Sequence, residues 1–163
     1  MIGQLNKDLI TAIENDDLEA IKALVKGGVN LHTLDEFGNN VLHLCAEYGQ
    51  LELAKYFVDL GVDVHALAID GNNVLHLCAM YEHIELAKYF VSLSVNVHAL
   101  DNYDINVLHL CAIFGYFELS EYFFSLGVDA HVLDKQGKNV LHRCTMYGYI
   151  ELAKYFKNLG VEG

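Results

Sequence analysis

The 163-residue chain contains no proline and no tryptophan. Without proline, no residue pre-sets φ at a helix start, and none breaks a helix interior by removing a backbone donor. Positive charge is scarce as well: 10 Lys and Arg stand against 22 Asp and Glu, a formal charge of −12. Phosphate backbones and anionic lipids are held by clustered Lys and Arg, so nucleic acid and membrane surfaces are not expected partners. Long hydrophobic runs are missing too. The longest, Val107 to Tyr116, is interrupted by His109 and is too short to span a bilayer. The first residues, Met-Ile-Gly-Gln-Leu-Asn-Lys-Asp, lack an apolar stretch followed by a small-residue cleavage site. That predicts no signal peptide and an intracellular, cytoplasmic protein. Neither a phosphate-binding glycine loop nor a Gly-x-Ser-x-Gly turn is present, so no catalytic residues, cofactor or enzyme activity are expected.

What is present is apolar and periodic. Hydrophobic residues make up 53% of the chain, enough to bury a core in one domain and too many for a disordered segment. The charge is uneven. Residues 134–163 hold five basic residues (Lys135, Lys138, Arg143, Lys154, Lys157) against three acidic ones (Asp134, Glu151, Glu162), so that segment is +2 and residues 1–133 carry −14. The body therefore suits a basic or polar partner surface better than an acidic one.

His43, His76, His109 and His142 recur every 33 residues, as do Cys45, Cys78, Cys111 and Cys144. A second series, His32, His65, His98 and His131, keeps the same period. The phrase Asn-Val-Leu-His-Leu-Cys-Ala stands at 40–46 and 73–79 and returns with small changes at 106–112 and 139–145. Glu-Leu-Ala-Lys-Tyr-Phe follows at 52–57, 85–90 and 151–156. Asn40, Asn73, Asn106 and Asn139, each before an apolar start, predict helix N-caps. Gly49, Gly115 and Gly148 predict the end of a first short helix, and Gly61, Gly127 and Gly160 the end of a second. Leu53, Phe57 and Leu60 share a helical face that one helix pair cannot bury, so neighbouring pairs must stack.

On these phrases the sequence resembles the ankyrin repeat family over essentially its whole length. The family's Thr-Pro-Leu-His reads Asn-Val-Leu-His here, its Ala-Ala reads Cys-Ala, and Gly-Val-Asp-Val-His-Ala at 61–66 matches its Gly-Ala-Asp-Val-Asn-Ala. The resemblance implies an all-α solenoid of five stacked helix–turn–helix units, with β-hairpin loops beside the first helices forming a concave face. A single domain over 1–163 would comprise a degenerate N-terminal cap repeat (1–34), internal repeats (35–67, 68–100, 101–133) and a C-terminal cap repeat (134–163). The cap at 134–163 is expected from polar replacements. Arg143 stands for Leu44, Leu77 and Leu110, Thr145 for Ala, and Lys157 for Val58, Val91 and Phe124, each where a further repeat would dock. A complete stack is the expectation.

Three departures cluster: Glu82, Ser94 and Asp104 replace glycines at helix ends and a loop turn. A non-glycine residue at positive φ costs on the order of 1 kcal/mol, so residues 80–105 should be the least rigid stretch.

Nine histidines and four cysteines raise the possibility of a metal. His43 and Cys45 are two apart on a helix and diverge, and equivalent cysteines are too distant for a disulfide. No metal ligands are therefore assigned, although a His/Cys metal-binding protein stays as an alternative reading. Cysteine at the family's small-residue position reads as a buried hydrophobe. The resemblance gives His43, His76, His109 and His142 a structural role, bonding backbone and loop groups. For His32, His65, His98 and His131 it implies a hairpin brace, with two alternatives. One is a pH-sensitive ladder. The other is modification by an asparaginyl hydroxylase, which acts at this family position and can accept His.

In similar proteins the contacts come from hairpin tips and the exposed side of each first helix. Here that assigns partner binding to Phe37, Tyr48, Ile69, Met80, Tyr81, Tyr103, Ile105, Ile113, Phe114, Met146 and Tyr147. The same aromatics could instead stack into the core. The expected function is a non-catalytic protein–protein interaction module (a scaffold, an inhibitor or a host-directed effector), with a self-associating homo-oligomeric repeat protein as the alternative.

Overall fold

The computed structural model describes residues 5–163; residues 1–4 of the expected N-terminal cap lie outside the described residues. Ten α-helices follow in five pairs. They are α1 (Lys7–Glu14) with α2 (Leu18–Lys26), α3 (Val41–Tyr48) with α4 (Leu51–Asp59), α5 (Val74–Tyr81) with α6 (Ile84–Ser92), α7 (Val107–Phe114) with α8 (Phe117–Ser125), and α9 (Val140–Tyr147) with α10 (Ile150–Asn158). The chain forms two compact units, Met1–Val95 and Asn96–Gly163. In the first, α1 packs on α3 and α3 on α5; in the second, α7 packs on α9. Each first helix also packs on the second helix of its own pair. Phe57, Phe90, Phe123 and Phe156, one in each of the last four repeats, are fully buried in these cores.

The repeated asparagine and histidine set the helix starts together. Asn40 Oδ1 accepts the N–H groups of Leu42 and His43 at 2.9 and 3.2 Å, while the Asn40 N–H donates to His43 Nδ1 at 3.2 Å. This is a capping box in which imidazole replaces the usual Glu or Gln, and it recurs at Asn73, Asn106 and Asn139. Asn40 Nδ2 also reaches Asp63 O at 2.9 Å, tying the first helix to the segment beyond the second. The glycines act as expected: Gly49, Gly115 and Gly148 cap the first helices in the left-handed conformation.

The loops are shorter than the expected β-hairpins. Among the described residues none is in a β-strand. Each tip is a tight turn closed by two backbone bonds, such as the cross-loop rung from Asp35 N–H to Asn39 O at 3.0 Å and the turn bond from Gly38 N–H to Asp35 O at 3.1 Å. Backbone bonds join neighbouring tips, Ile69 N–H to Phe37 O in the first unit and Lys135 N–H to Tyr103 O in the second, each at 3.0 Å. One rung per turn leaves too little ladder for a strand.

Arg143 corrects the basis of the C-terminal cap. It does not present a polar face to a further repeat but is buried, with its guanidinium on the buried Asp134. Its Nε lies 2.9 Å from Asp134 Oδ2, Nη2 meets the same oxygen, and Nη2 also donates to Gln136 Oε1 at 3.0 Å. The reason is positional: Leu44, Leu77 and Leu110 are buried as well, so this helix position faces inward in each of those repeats. Thr145 and Lys157 are exposed. Beside them α9 and α10 leave a groove of about 580 Å³, lined by Leu141, Cys144, Ile150 and Ala153 with Lys154 and Lys157.

Glu82, Ser94 and Asp104 hold φ at 60°, 64° and 59°, and Asp16, which sequence reading missed, joins them at 53°. The division between the units falls directly after Ser94 and Val95. Ser94→Gly should therefore raise stability by about 0.5–1 kcal/mol, strain relief being partly offset by a more flexible unfolded chain. Chemical denaturation measures this. Hydrogen exchange as slow over 80–105 as elsewhere would contradict the weak-stretch reading.

Candidate protein-binding face

The loop tips are pre-shaped by carboxylates. Asp35 Oδ1 accepts the N–H groups of Phe37 and Asn39 at 2.9 and 2.8 Å. Asp101 holds Tyr103 and Ile105 in the same way, and Asp134 holds Gln136 and Lys138. In the third repeat Ala68 stands at this position, and Asp70 supplies the acceptor for Asn72 instead, at 3.1 Å. Held in this way, Phe37, Ile69 and Tyr103 are 63%, 71% and 60% exposed. Loop aspartates at a spacing of 33 or 66 residues were legible in the sequence but were not recognised as braces.

At the ends of the first helices Tyr48, Tyr81, Phe114 and Tyr147 are between 40% and 50% exposed, and Met146 is exposed as well. Met80, Ile105 and Ile113 are half-buried. These aromatics are therefore not sealed core. In the first unit the Tyr48 phenol donates to Glu14 Oε1 at 3.1 Å. Burial raises the pKa of Glu47; the Tyr81 phenol partly offsets this, and Asp35 and Glu14 add to the rise. In the second unit the Phe114 ring stacks on Tyr116 with centroids 5.8 Å apart. Sequence reading also missed Leu67, Leu100 and Leu133, exposed in consecutive repeats and betrayed by the same 33-residue spacing.

The first histidine series is structural in fine detail. His43 Nε2 lies 3.2 Å from Asn72 O, and His109 Nε2 lies 3.1 Å from Lys138 O, each bridging to the next loop. A carbonyl only accepts, which places the proton on Nε2 and leaves Nδ1 free to accept the cap N–H. Burial lowers both pKa values, and the carbonyl bonds offset this only in part.

The second series does not brace through its rings. The backbone N–H groups of His32, His65, His98 and His131 donate to Asn30, Asp63, Asn96 and Asp129 at 2.8–2.9 Å. The imidazoles themselves are exposed. The bracing side chain is thus the residue two positions earlier, whose short reach closes a local turn.

All four cysteines are buried free thiols. Burial raises the pKa values of Cys45 and Cys78, and that of Cys144 to about 12, which disfavours the reactive thiolate. Among the described residues no three His, Cys, Asp or Glu side chains converge as metal ligands. Nor is any described helix long and apolar enough to cross a membrane.

Two of the glycine caps, Gly49 and Gly115, are overlain by the following repeat. A Cβ on Gly49 would lie 2.6 Å from the His83 ring, and one on Gly115 would lie 2.4 Å from the Tyr149 ring. His83 Nε2 also meets Glu47 O at 3.0 Å, so the ring is anchored where it lies.

A family model for ankyrin repeats in three copies matches residues 9–101 and 75–162. The chain belongs to the ankyrin repeat family. No curated protein matches it. Its paired helices are those of an all-α ankyrin solenoid, and ankyrin repeats are generally protein–protein interaction modules, typically without catalytic activity.

Proposed function

We propose that this ankyrin protein binds a partner protein through its loop tips and the exposed ends of its first helices. Phe37, Tyr48, Ile69, Met80 and Tyr81 would serve in the first unit, and Tyr103, Ile105, Ile113, Phe114, Met146 and Tyr147 in the second. One observation carries the reading: in four successive repeats the last residue of the first helix is an aromatic left 40–50% exposed. Half-exposed aromatic rings on a pre-shaped scaffold are the composition of binding hot spots, and truncating one typically costs 2 kcal/mol or more, roughly a thirtyfold loss of affinity.

The test compares wild type with the Tyr81→Ala, Phe114→Ala double variant in partner capture, with circular dichroism checking the fold. Binding should disappear while helicity stays. Capture unchanged in a folded double variant would remove these residues from the interface, and an unfolded double variant would return them to the core. Light scattering separates the self-associating alternative, because a stable dimer at low micromolar concentration would assign the exposed leucines and aromatics to a second copy.

A further inference from the structure

We propose that the loop-and-first-helix face of the first unit docks a cationic segment of its partner, one carrying Lys or Arg between apolar side chains. The inference rests on the docking face proposed above and names the chemistry of what it takes.

Charge in this unit is segregated. Apart from Lys7, each of its basic residues lies on a second helix: Lys22 and Lys26 on α2, Lys55 on α4 and Lys88 on α6. Lys22, Lys55 and Lys88 are already paired with Glu19, Glu52 and Glu85 at 2.9–3.1 Å. The second-helix side is thereby largely neutralised. The loops and first helices instead present Glu14, Glu36, Glu47 and Asp70 beside exposed Phe37, Tyr48, Ile69 and Tyr81.

The fine geometry favours the same occupant. Tyr48 spends its phenol proton on Glu14, and the Tyr81 phenol and the Glu47 carboxylate interact, which leaves carboxylate oxygens next to half-exposed rings. A guanidinium or ammonium can use both at once, as ion pair and as cation–π partner. Glu47 is half-buried and feels the like charges of Asp35 and Glu14, a crowding that a bound cation relieves. A wholly apolar partner would bury Glu47 without compensation, and an acidic one would add repulsion.

Attraction of any cation to a chain of charge −12 is the competing explanation, so the experiment compares two variants of equal net charge. The full chain is titrated by fluorescence anisotropy with short peptide pools of equal Leu and Phe content, whose remaining positions are Lys/Arg, Ser/Gln or Asp/Glu. The basic pool should bind about tenfold tighter than the neutral one, a gap of about 1.4 kcal/mol. The Glu14→Gln, Glu47→Gln pair should abolish that gap, whereas Glu52→Gln, Glu85→Gln, which removes the same charge from the second helices, should preserve it. Equal binding of basic and neutral pools would overturn the cationic assignment and leave the docking face standing. Equal weakening by both Gln pairs would also overturn it, in favour of overall charge. Basic-pool binding indifferent to Tyr48→Ala, Tyr81→Ala would sink the docking face itself.

Discussion

Arg143→Ala is expected to cost about 3 kcal/mol of stability, the low end for breaking a buried ion pair. The substitution strands the Asp134 carboxylate, which is buried and holds the N–H groups of Gln136 and Lys138. Those two backbone bonds keep the loss from being larger. The protein contains its own control: Asp101 holds an equivalent loop and is buried beside a repeat whose corresponding residue is Leu110, not arginine. Arg143→Leu, which breaks the same pair but fills the position as Leu110 does, should cost less than Arg143→Ala by the packing it keeps. Urea denaturation of both variants checks the ranking, and equal losses would show that the charge, not the filled volume, is what the site needs. The ion pair also carries a pH signature. Burial penalises the Asp134 carboxylate, but Arg143 and the loop N–H groups outweigh it and hold its pKa below the ordinary 3.8. Its contribution is present above that value and is lost as pH falls below it.

A second loss should begin at higher pH. His43 and His109 have pKa values held below the ordinary 6.5 by burial. Between the folded pKa and 6.5 the unfolded chain binds more protons than the folded one, so stability falls as acid is added. The imidazole contribution is whole above about pH 6.5 and declines below it, by about 1.4 kcal/mol for each unit of lowering. Protonated Nδ1 can no longer accept the Asn40 or Asn106 N–H, so the helix caps loosen in the same step. The raised pKa of half-buried, solvent-screened Glu47 works in the opposite direction and is the smaller effect. Melting temperature should thus drop from pH 8 to pH 5 in wild type and vary less in His43→Gln, His109→Gln, since Gln can fill the capping box without titrating. A wild-type melting curve flat across that range would refute the assignment.

The helix pairs, their caps and the left-handed turns were readable because each depends on neighbours in sequence. Asn40 bonds two and three residues ahead, and Gly49 closes the helix it follows. The errors lie where a side chain's target is distant or its direction ambiguous. Arg143 replaced a leucine and looked like an outward cap, but which way that helix position faces is set by packing against its own loop. His32 and its equivalents sit where the family braces its loop, yet the bond runs from backbone N–H to an earlier side chain. Exposure was the least legible property of all. The aromatic positions were named from pattern, but only the packed chain separates open Tyr81 from half-covered Met80.

The repeats look like copies, yet their order is not free. The His83 ring occupies the space a side chain at position 49 would need, and the Tyr149 ring does the same at position 115. Moving the Glu82-ended repeat into the place of the Gly115-ended one would drive a side chain into the Tyr149 ring. The chain thus records duplication followed by mutual adjustment of neighbours, and a library that shuffles its modules should recover few permutations besides the natural sequence.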